Sequence, residues 1–414
     1  MKTTAVKNKI INDPLYGFIS INDPLILAVI DHPWFQRLRR IKQLGLTSFV
    51  YPGALHTRFH HAIGAMHLMN QCLDVLSSKG ALISDEERRA ALLAILLHDI
   101  GHGPFSHALE GILVNNAHHE DISLLFIKEL NKIFEGRLSL AIEIFSDSYP
   151  RRFFHQLVSG QLDMDRLDYL RRDSFFTGVT EGIINSDRII SMLSLLNDEP
   201  VVEAKGIYSV EKFIIARRLM YWQVYLHKTV ISAERLLVSV IRRATELLAM
   251  GIPVFSVPAL TPFLEGKISA ETVLHNPEGL QAFALIDDDD VFASLKAWQN
   301  HSDPLLAFLS TSLVNRKLFK TDILKSPPSA EMMMGLKLQI YEKFPFATEN
   351  PDYLLDSGVL SNNAYASGES GIKILYRNGE VVDLAGAADL LNISVLSTPV
   401  EKYFLSYPKE LRNK

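Results

Sequence analysis

Eight consecutive apolar residues, Ala90-Ala-Leu-Leu-Ala-Ile-Leu-Leu97, run directly into His98-Asp99-Ile100-Gly101-His102-Gly103-Pro104. The preceding Ser84-Asp85-Glu86-Glu87 has the form of a capping box, so the run reads as a helix that starts there. A helix apolar on every side has no face to give to water and must lie at the centre of a larger body. Two glycines and a proline stop it. An imidazole and a carboxylate are thereby left at the end of a buried helix, where they are costly unless something pairs with them.

The histidines gather around that point. Of 14 in the chain, nine lie between His56 and His119: His56, His60, His61, His67, His98, His102, His107, His118 and His119. The window holds about 15% of the 414 residues, so about two would be expected by chance. Histidine in bulk serves metal ligation and proton transfer rather than packing.

Periodicity around this window is helical. Leu25, Val29, Ile30, Phe35, Leu38, Ile41 and Leu44 fall at helical spacing up to Gly45, after a short hairpin-like segment from Tyr16 to Ile21. A helix is expected from Thr57 to Ser78, with His61 at the border of its apolar face and His60 and His67 on its polar side. Further helices are expected from Leu124 to Leu140, Arg151 to Leu157 and Leu162 to Arg172, and one long one from Glu211 to Met250. Asp287 to Asp290 read as a helix N-terminus. Asn378-Gly379, between alternating runs at 372–376 and 380–382, reads as a hairpin. The expected architecture is all-α, a mainly helical body with small β-hairpin attachments. It divides into a core over 1–245 and a mostly helical region over 246–414 with a hairpin near 372–383.

Composition bounds the rest. With 48% hydrophobic and 21% charged residues the chain is globular in type. One cysteine, Cys72, excludes an intramolecular disulfide and fits a reducing compartment. No apolar run approaches the roughly 18 residues of a membrane span. The first residues lack a secretory signal's apolar stretch. The expectation is a cytoplasmic protein without a membrane partner. A net charge of −5 and a pI of about 6.3 give no support for a nucleic-acid-coating surface.

His61, His98, Asp99 and one further carboxylate, Asp163 or Asp165, make a mixed nitrogen and oxygen set. Such a set suits Fe, Mn, Zn, Ni or Co with open positions for water and substrate. In this order, and with Gly-His-Gly-Pro-Phe-Ser-His following the pair, the sequence resembles the HD-domain metal phosphohydrolases. More narrowly it resembles the deoxynucleoside triphosphate (dNTP) triphosphohydrolases, without the sterile-alpha-motif domain that the vertebrate enzyme adds. The matching stretches are Lys9–Gly17, Phe35–Gly45, Tyr51–Ala54, Arg58–His61, His98–His107, His119-Glu120 and Leu162–Tyr169, within about residues 9–230.

The resemblance implies a metal held by His61, His98, Asp99 and Asp165, and admits Mg on the substrate phosphates. It implies active-site roles for His102, His107 and His119, with Glu110 as the carboxylate partner of His107. Arg58, Arg166, Tyr169 and Arg217 match triphosphate contacts, Arg166 standing where the family has lysine. Gln43 and Asp173 match residues that hold the sugar 3′-hydroxyl, and Leu44 and Tyr225 the pair that crowds the 2′ position. Lys9, Asp31, Gln36 and Arg39 match a regulatory nucleotide site, and family members form homodimers or homotetramers. Phe175, Phe176 and Leu226 depart from the vertebrate pattern near the sugar and base, so nucleotide preference stays open.

The implied reaction converts a dNTP to deoxynucleoside and triphosphate, by attack of a metal-activated water on the α-phosphorus. The same site also admits a nucleoside monophosphatase or cyclic-nucleotide phosphodiesterase. A different class, a nucleotide- or nucleic-acid-binding regulator without turnover, is the third reading.

Overall fold

The computed structural model describes residues 8–105, 108–114, 117–363, 365–366, 368, 371–388 and 398–411. The central helix is where its sequence requires. Asp85–Leu97 starts on Ser84, whose hydroxyl accepts from the Glu87 backbone N–H while the Glu87 carboxylate accepts from that of Ser84. Residues Leu93 to Leu97 are 0–1% exposed. A six-residue connection, 79–84, returns the chain from the Arg58–Ser78 helix, so these two helices pack as neighbours. Met164–Thr177 lies against Arg58–Ser78 on another side. It ends at Gly178, whose φ of 75° supplies the left-handed cap.

Two of the long expected helices are broken, each for a local reason. The 124–140 segment divides into His119–Ile133 and Ser139–Phe145, at Glu135 and Gly136, both with positive φ. The 211–250 segment divides into Ile207–Met220 and Lys228–Ala249. Between them lies a π-helical turn, Tyr221–Tyr225, and the imidazole of His227 then caps the second helix by accepting from the Thr229 backbone N–H. Near the N-terminus, His32-Pro33 interrupts the expected run between Pro24–Asp31 and the short Pro33–Gln36 helix.

The β content exceeds hairpin attachments. Lys9–Asp13 and Gly17–Ile21 form an antiparallel hairpin. Leu193–Leu196, Glu199–Glu203, Lys373–Leu375 and Val381–Asp383 form one four-stranded sheet, in which Glu199–Glu203 pairs in parallel with Lys373–Leu375. Lys320–Leu324, Val400–Tyr407 and Asp356–Asn362 form a third sheet. The Asn378-Gly379 hairpin is present, but it is half of a mixed sheet whose other half comes from mid-chain. Single-strand patterns cannot reveal that long-range pairing.

One hydrophobic core runs from Ile19 to Leu411. The acidic run is the expected helix start: Asp287 caps Asp288–Trp298. It also pins the N-terminal half, since Asp288 accepts from the backbone N–H groups of Lys42 (3.0 Å) and Phe105 (2.8 Å). Among the described residues, no helix is long and apolar enough to cross a membrane.

Candidate metal centre and nucleotide cleft

His61 comes from the Arg58–Ser78 helix, His98 and Asp99 from the end of Asp85–Leu97, and Asp165 from the first turn of Met164–Thr177. These elements bring the four side chains together. The Nε2 atom of His61 lies 3.0 Å from Asp165 Oδ1, 3.3 Å from His98 Nε2 and 3.8 Å from Asp99 Oδ2. His98 Nε2 lies 3.4 Å from the same Asp165 oxygen and 3.3 Å from Asp99 Oδ1. Asp163, the other carboxylate left open by sequence, is instead the N-cap of its helix. It accepts from the backbone N–H groups of Arg166 (2.6 Å) and Gly160 (2.7 Å).

The second ring nitrogens fix the tautomers. His61 Nδ1 donates to Asp168 Oδ2 at 2.8 Å, and His98 Nδ1 to the Ile95 carbonyl at 2.6 Å. Both Nε2 lone pairs therefore converge with carboxylate oxygens on one point. Such a convergence of acceptors calls for a cation. With no cation at that point, the same carboxylates instead favour a second proton on the ring. Burial alone would depress the His61 imidazole, but Asp165 and Asp168 push it up to about 10. Burial would raise Asp99, yet His98, Arg58 and His102 hold it well below the usual carboxylate range. His61, His98 and Asp99 could together hold a metal ion, and Asp165 adds a carboxylate oxygen 3.0 Å from His61 Nε2.

Asp168 is locked in turn by Arg172, one helical turn on, through a two-pronged contact of 2.9 and 3.0 Å. A Cβ on Gly64 would stand 2.1 Å from both Arg172 Nη2 and Asp168 Oδ1, so only glycine lets this pair lie against the Arg58–Ser78 helix. Sequence reasoning gave Asp168 and Arg172 no role. Their i,i+4 spacing on one helix was the available signal.

Arg58 is buried and its guanidinium donates to Asp99 Oδ2. His102 Nε2 lies 3.4 Å from Asp99 Oδ1, and its ring stacks on His119 at 3.8 Å. Burial and the Arg58 charge hold His102 well below its ordinary value. Gly101 permits the stacking: a Cβ there would meet the His119 carbonyl oxygen at 2.2 Å. His119 Nδ1 donates to Glu110 Oε1 at 2.8 Å, and its backbone N–H reaches the same oxygen at 3.1 Å. That contact is an addition to the sequence reading, which placed Glu110 with His107. His107 lies outside the described residues.

Asp165, Tyr169 and Asp173 follow at intervals of four along one helix. Arg166 and Arg217 both act electrostatically on Tyr169, whose hydroxyl is pushed well up by burial and by Tyr221. The Tyr225 ring stands 6.2 Å from Tyr169, and its hydroxyl donates to Asp173 Oδ2 at 2.8 Å. His56, which the sequence left without a role, is fully enclosed. Its Nε2 contacts Asp173 Oδ1 at 2.7 Å, and its backbone oxygen accepts from Gln43 N–H at 3.0 Å. The Gln43 side-chain oxygen is buried and has no hydrogen-bond partner among the described residues. Leu44, the next residue, is partly buried against the core.

The four residues matched to a regulatory site form two contacting pairs. Lys9 Nζ pairs with Asp31 Oδ1 at 2.5 Å, and Arg39 Nε donates to Gln36 Oε1 at 2.8 Å.

Residues 58–173 match the HD domain, and residues 184–252 match the HD associated region. The crystal structure of a phosphohydrolase from Bacteroides thetaiotaomicron is 50% identical, with a TM-score of 0.94 over 97% of this chain and 100% of that one. The uncharacterized protein YwfO of Bacillus subtilis is 31% identical over 98% of this chain and 93% of its own length. The deoxynucleoside triphosphate triphosphohydrolase SAMHD1 homolog of Dictyostelium discoideum is 33% identical over 58% of this chain. The match spans half of that protein's length.

Proposed function

The chain belongs to the HD-domain phosphohydrolases, and from that premise we propose that it hydrolyses dNTPs to deoxynucleoside and inorganic triphosphate. The observation that carries the reading is the single helix face bearing Asp165, Tyr169 and Asp173. At a rise of about 1.5 Å per residue, its two carboxylates are separated by roughly 12 Å along the helix, room for an α-phosphate and a sugar. Asp165 marks the metal end, Tyr169 with Arg166 and Arg217 the phosphates, and Asp173 with Tyr225 and Gln43 the sugar.

A divalent ion held by His61, His98, Asp99 and Asp165 supplies, when bound, Lewis acidity and a water of lowered pKa. The protein's residues do the rest. Arg58, fixed beside Asp99, together with Arg166, Tyr169 and Arg217, offers donors to the phosphate oxygens as charge spreads over them. A water gives up one proton to solvent as its oxygen bonds to the α-phosphorus, the bond to the 5′ oxygen breaks, and that oxygen takes a proton from an imidazole. His107 holds this role in the sequence reading. His119, oriented by Glu110, is the described histidine equipped to hold or pass the proton. Asp173, gripped by His56 and Tyr225, accepts from the 3′-hydroxyl, while Leu44 and Tyr225 leave no space for a 2′-hydroxyl.

Residues 1–245 form the catalytic core in this reading, and residues 246–414 brace it through Asp287 and Asp288. The Lys9, Asp31, Gln36 and Arg39 surface takes an activating nucleotide in a homodimer or homotetramer. The test is metal-replete protein with each dNTP and NTP, with and without GTP or dGTP, and products resolved by chromatography. Deoxynucleoside and triphosphate are expected. Orthophosphate or pyrophosphate as the released product overturns the proposal.

A further inference from the structure

The chain of contacts behind His61 does not end at Arg172. The third arm of that guanidinium, Nη1, donates to Asp13 Oδ2 at 2.8 Å. Asp13 closes the N-terminal strand Lys9–Asp13, far from the metal ligands in sequence. Its other oxygen, Oδ1, accepts from the backbone N–H groups of Leu15 (2.8 Å) and Tyr16 (3.0 Å), which fixes the carboxylate in the hairpin turn. All four members of the series Asp13, Arg172, Asp168 and His61 are at most 3% exposed. Tyr16, from the same turn, lays its ring 5.4 Å from the Arg172 guanidinium carbon.

We propose that Asp13 is a positioning residue of the metal centre, acting through Arg172 and Asp168 on the imidazole of His61. The physical reason is charge balance. A guanidinium that faced Asp168 alone would draw that carboxylate's electron density to itself. With Asp13 on its far side, the arginine is shared between two anions. Asp168 then keeps its strength as acceptor for His61 Nδ1–H, which raises the basicity of the Nε2 atom that faces the ion. The turn-bound Asp13 also fixes the plane of the guanidinium, hence of Asp168, hence of the ring. The N-terminal hairpin is on this view part of the metal site, although it supplies no ligand.

The proposal rests on His61 being a metal ligand, and the experiment separates the two claims without using substrate. Mn2+ binding to metal-stripped full-length protein is measured by calorimetry for wild type, His61→Ala, Asp13→Asn, Asp13→Glu and Asp303→Asn. Asp303 is the matched control: it too pairs with an arginine, Arg243, at 2.6 Å, and caps a helix by accepting from Leu306 N–H at 2.7 Å. Loss of binding in His61→Ala supports the ligand assignment, and its retention overturns that assignment. Asp13→Asn keeps the turn acceptor and loses the charge. It is expected to weaken Mn2+ binding by roughly 3- to 10-fold, below the 10- to 100-fold typical of a direct partner of a ligand. Asp13→Glu keeps the charge on a longer arm and should fall between Asp13→Asn and wild type, while Asp303→Asn should bind as wild type does. If Asp13→Asn does not fold, Asp13→Glu decides by the same reading. Wild-type affinity in the folded Asp13 variants, or equal weakening in Asp303→Asn, overturns the proposal.

Discussion

Asp168 Oδ2 and His61 Nδ1 meet at 2.8 Å with neither side chain exposed, so the proton on that nitrogen has one acceptor. That single contact turns the opposite nitrogen toward Asp165, His98 and Asp99. Asp168→Asn, whose amide can present a donor to the same nitrogen, should loosen both tautomer and ring orientation. The expected result is about a 10- to 100-fold loss of Mn2+ affinity, read by calorimetry.

Gly64 tests the same assembly from its other side. Gly64→Ala forces a methyl group into the space of the Arg172 and Asp168 side chains, both buried and both held by further partners. Overpacking of this kind costs typically about 1–3 kcal/mol. Urea unfolding should show that loss, together with weaker metal binding. An unchanged midpoint would mean that the pair can move aside.

Glu110 and His119 form the second oriented imidazole. Glu110→Gln keeps an acceptor near His119 Nδ1 but removes the charge. If His119 holds or passes the proton, kcat should fall on the order of 10- to 100-fold, with KM changed much less. A change confined to KM would place His119 in binding alone.

His56 offers a test of the sugar end. It grips Asp173 Oδ1 while Tyr225 grips Oδ2. His56→Ala frees one side of the carboxylate, so the acceptor for a 3′-hydroxyl loses its fixed place. The ratio of kcat/KM for a dNTP over its 3′-deoxy analogue should fall roughly tenfold, the scale of one hydrogen bond to a charged group. A general loss of folding would lower both values and leave the ratio intact.

Stability toward acid should carry the signature of Glu87. Burial works to raise its carboxyl, but the Ser84 backbone N–H, Arg151, Tyr149 and the Ser84 hydroxyl outweigh it and hold the group at about 2. Its folded value lies below the ordinary 4.5, so its contribution is present above about pH 4.5 and is lost as the pH falls toward 2. Urea midpoints of wild type and Glu87→Gln should differ at pH 7 and draw together through that window. A constant gap from pH 7 to pH 2 would remove Glu87 from the acid response.

Sequence order pointed to the residues that this cluster brings together. His61 lies on a helix border, His98-Asp99 ends an apolar helix, and Asp165 follows in a motif, so local patterns located them. Local patterns failed where long-range contacts decide. Asp163 and Asp165 are two residues apart and equivalent by composition. Only the helix start, with Asp163 taken up by the N–H groups of Gly160 and Arg166, assigns the cluster to Asp165. His56 received no role because nothing in the sequence places it against Asp173. The long helix expected over 211–250 fails for a similar reason: the π-helical turn that sets Tyr225 against Asp173 has no period to read.

The sequence by itself determined a helical body around one buried helix, with imidazoles and carboxylates at its end, because burial leaves such groups no alternative to a shared site. Tertiary structure decided which nitrogen of each imidazole faces that site. It also decided which carboxylate orients it, and that Asp13 of the N-terminal hairpin stands behind Arg172. The His61–Asp168 and Asp13–Arg172 contacts each join residues more than a hundred positions apart, which packing sets and no local spacing encodes.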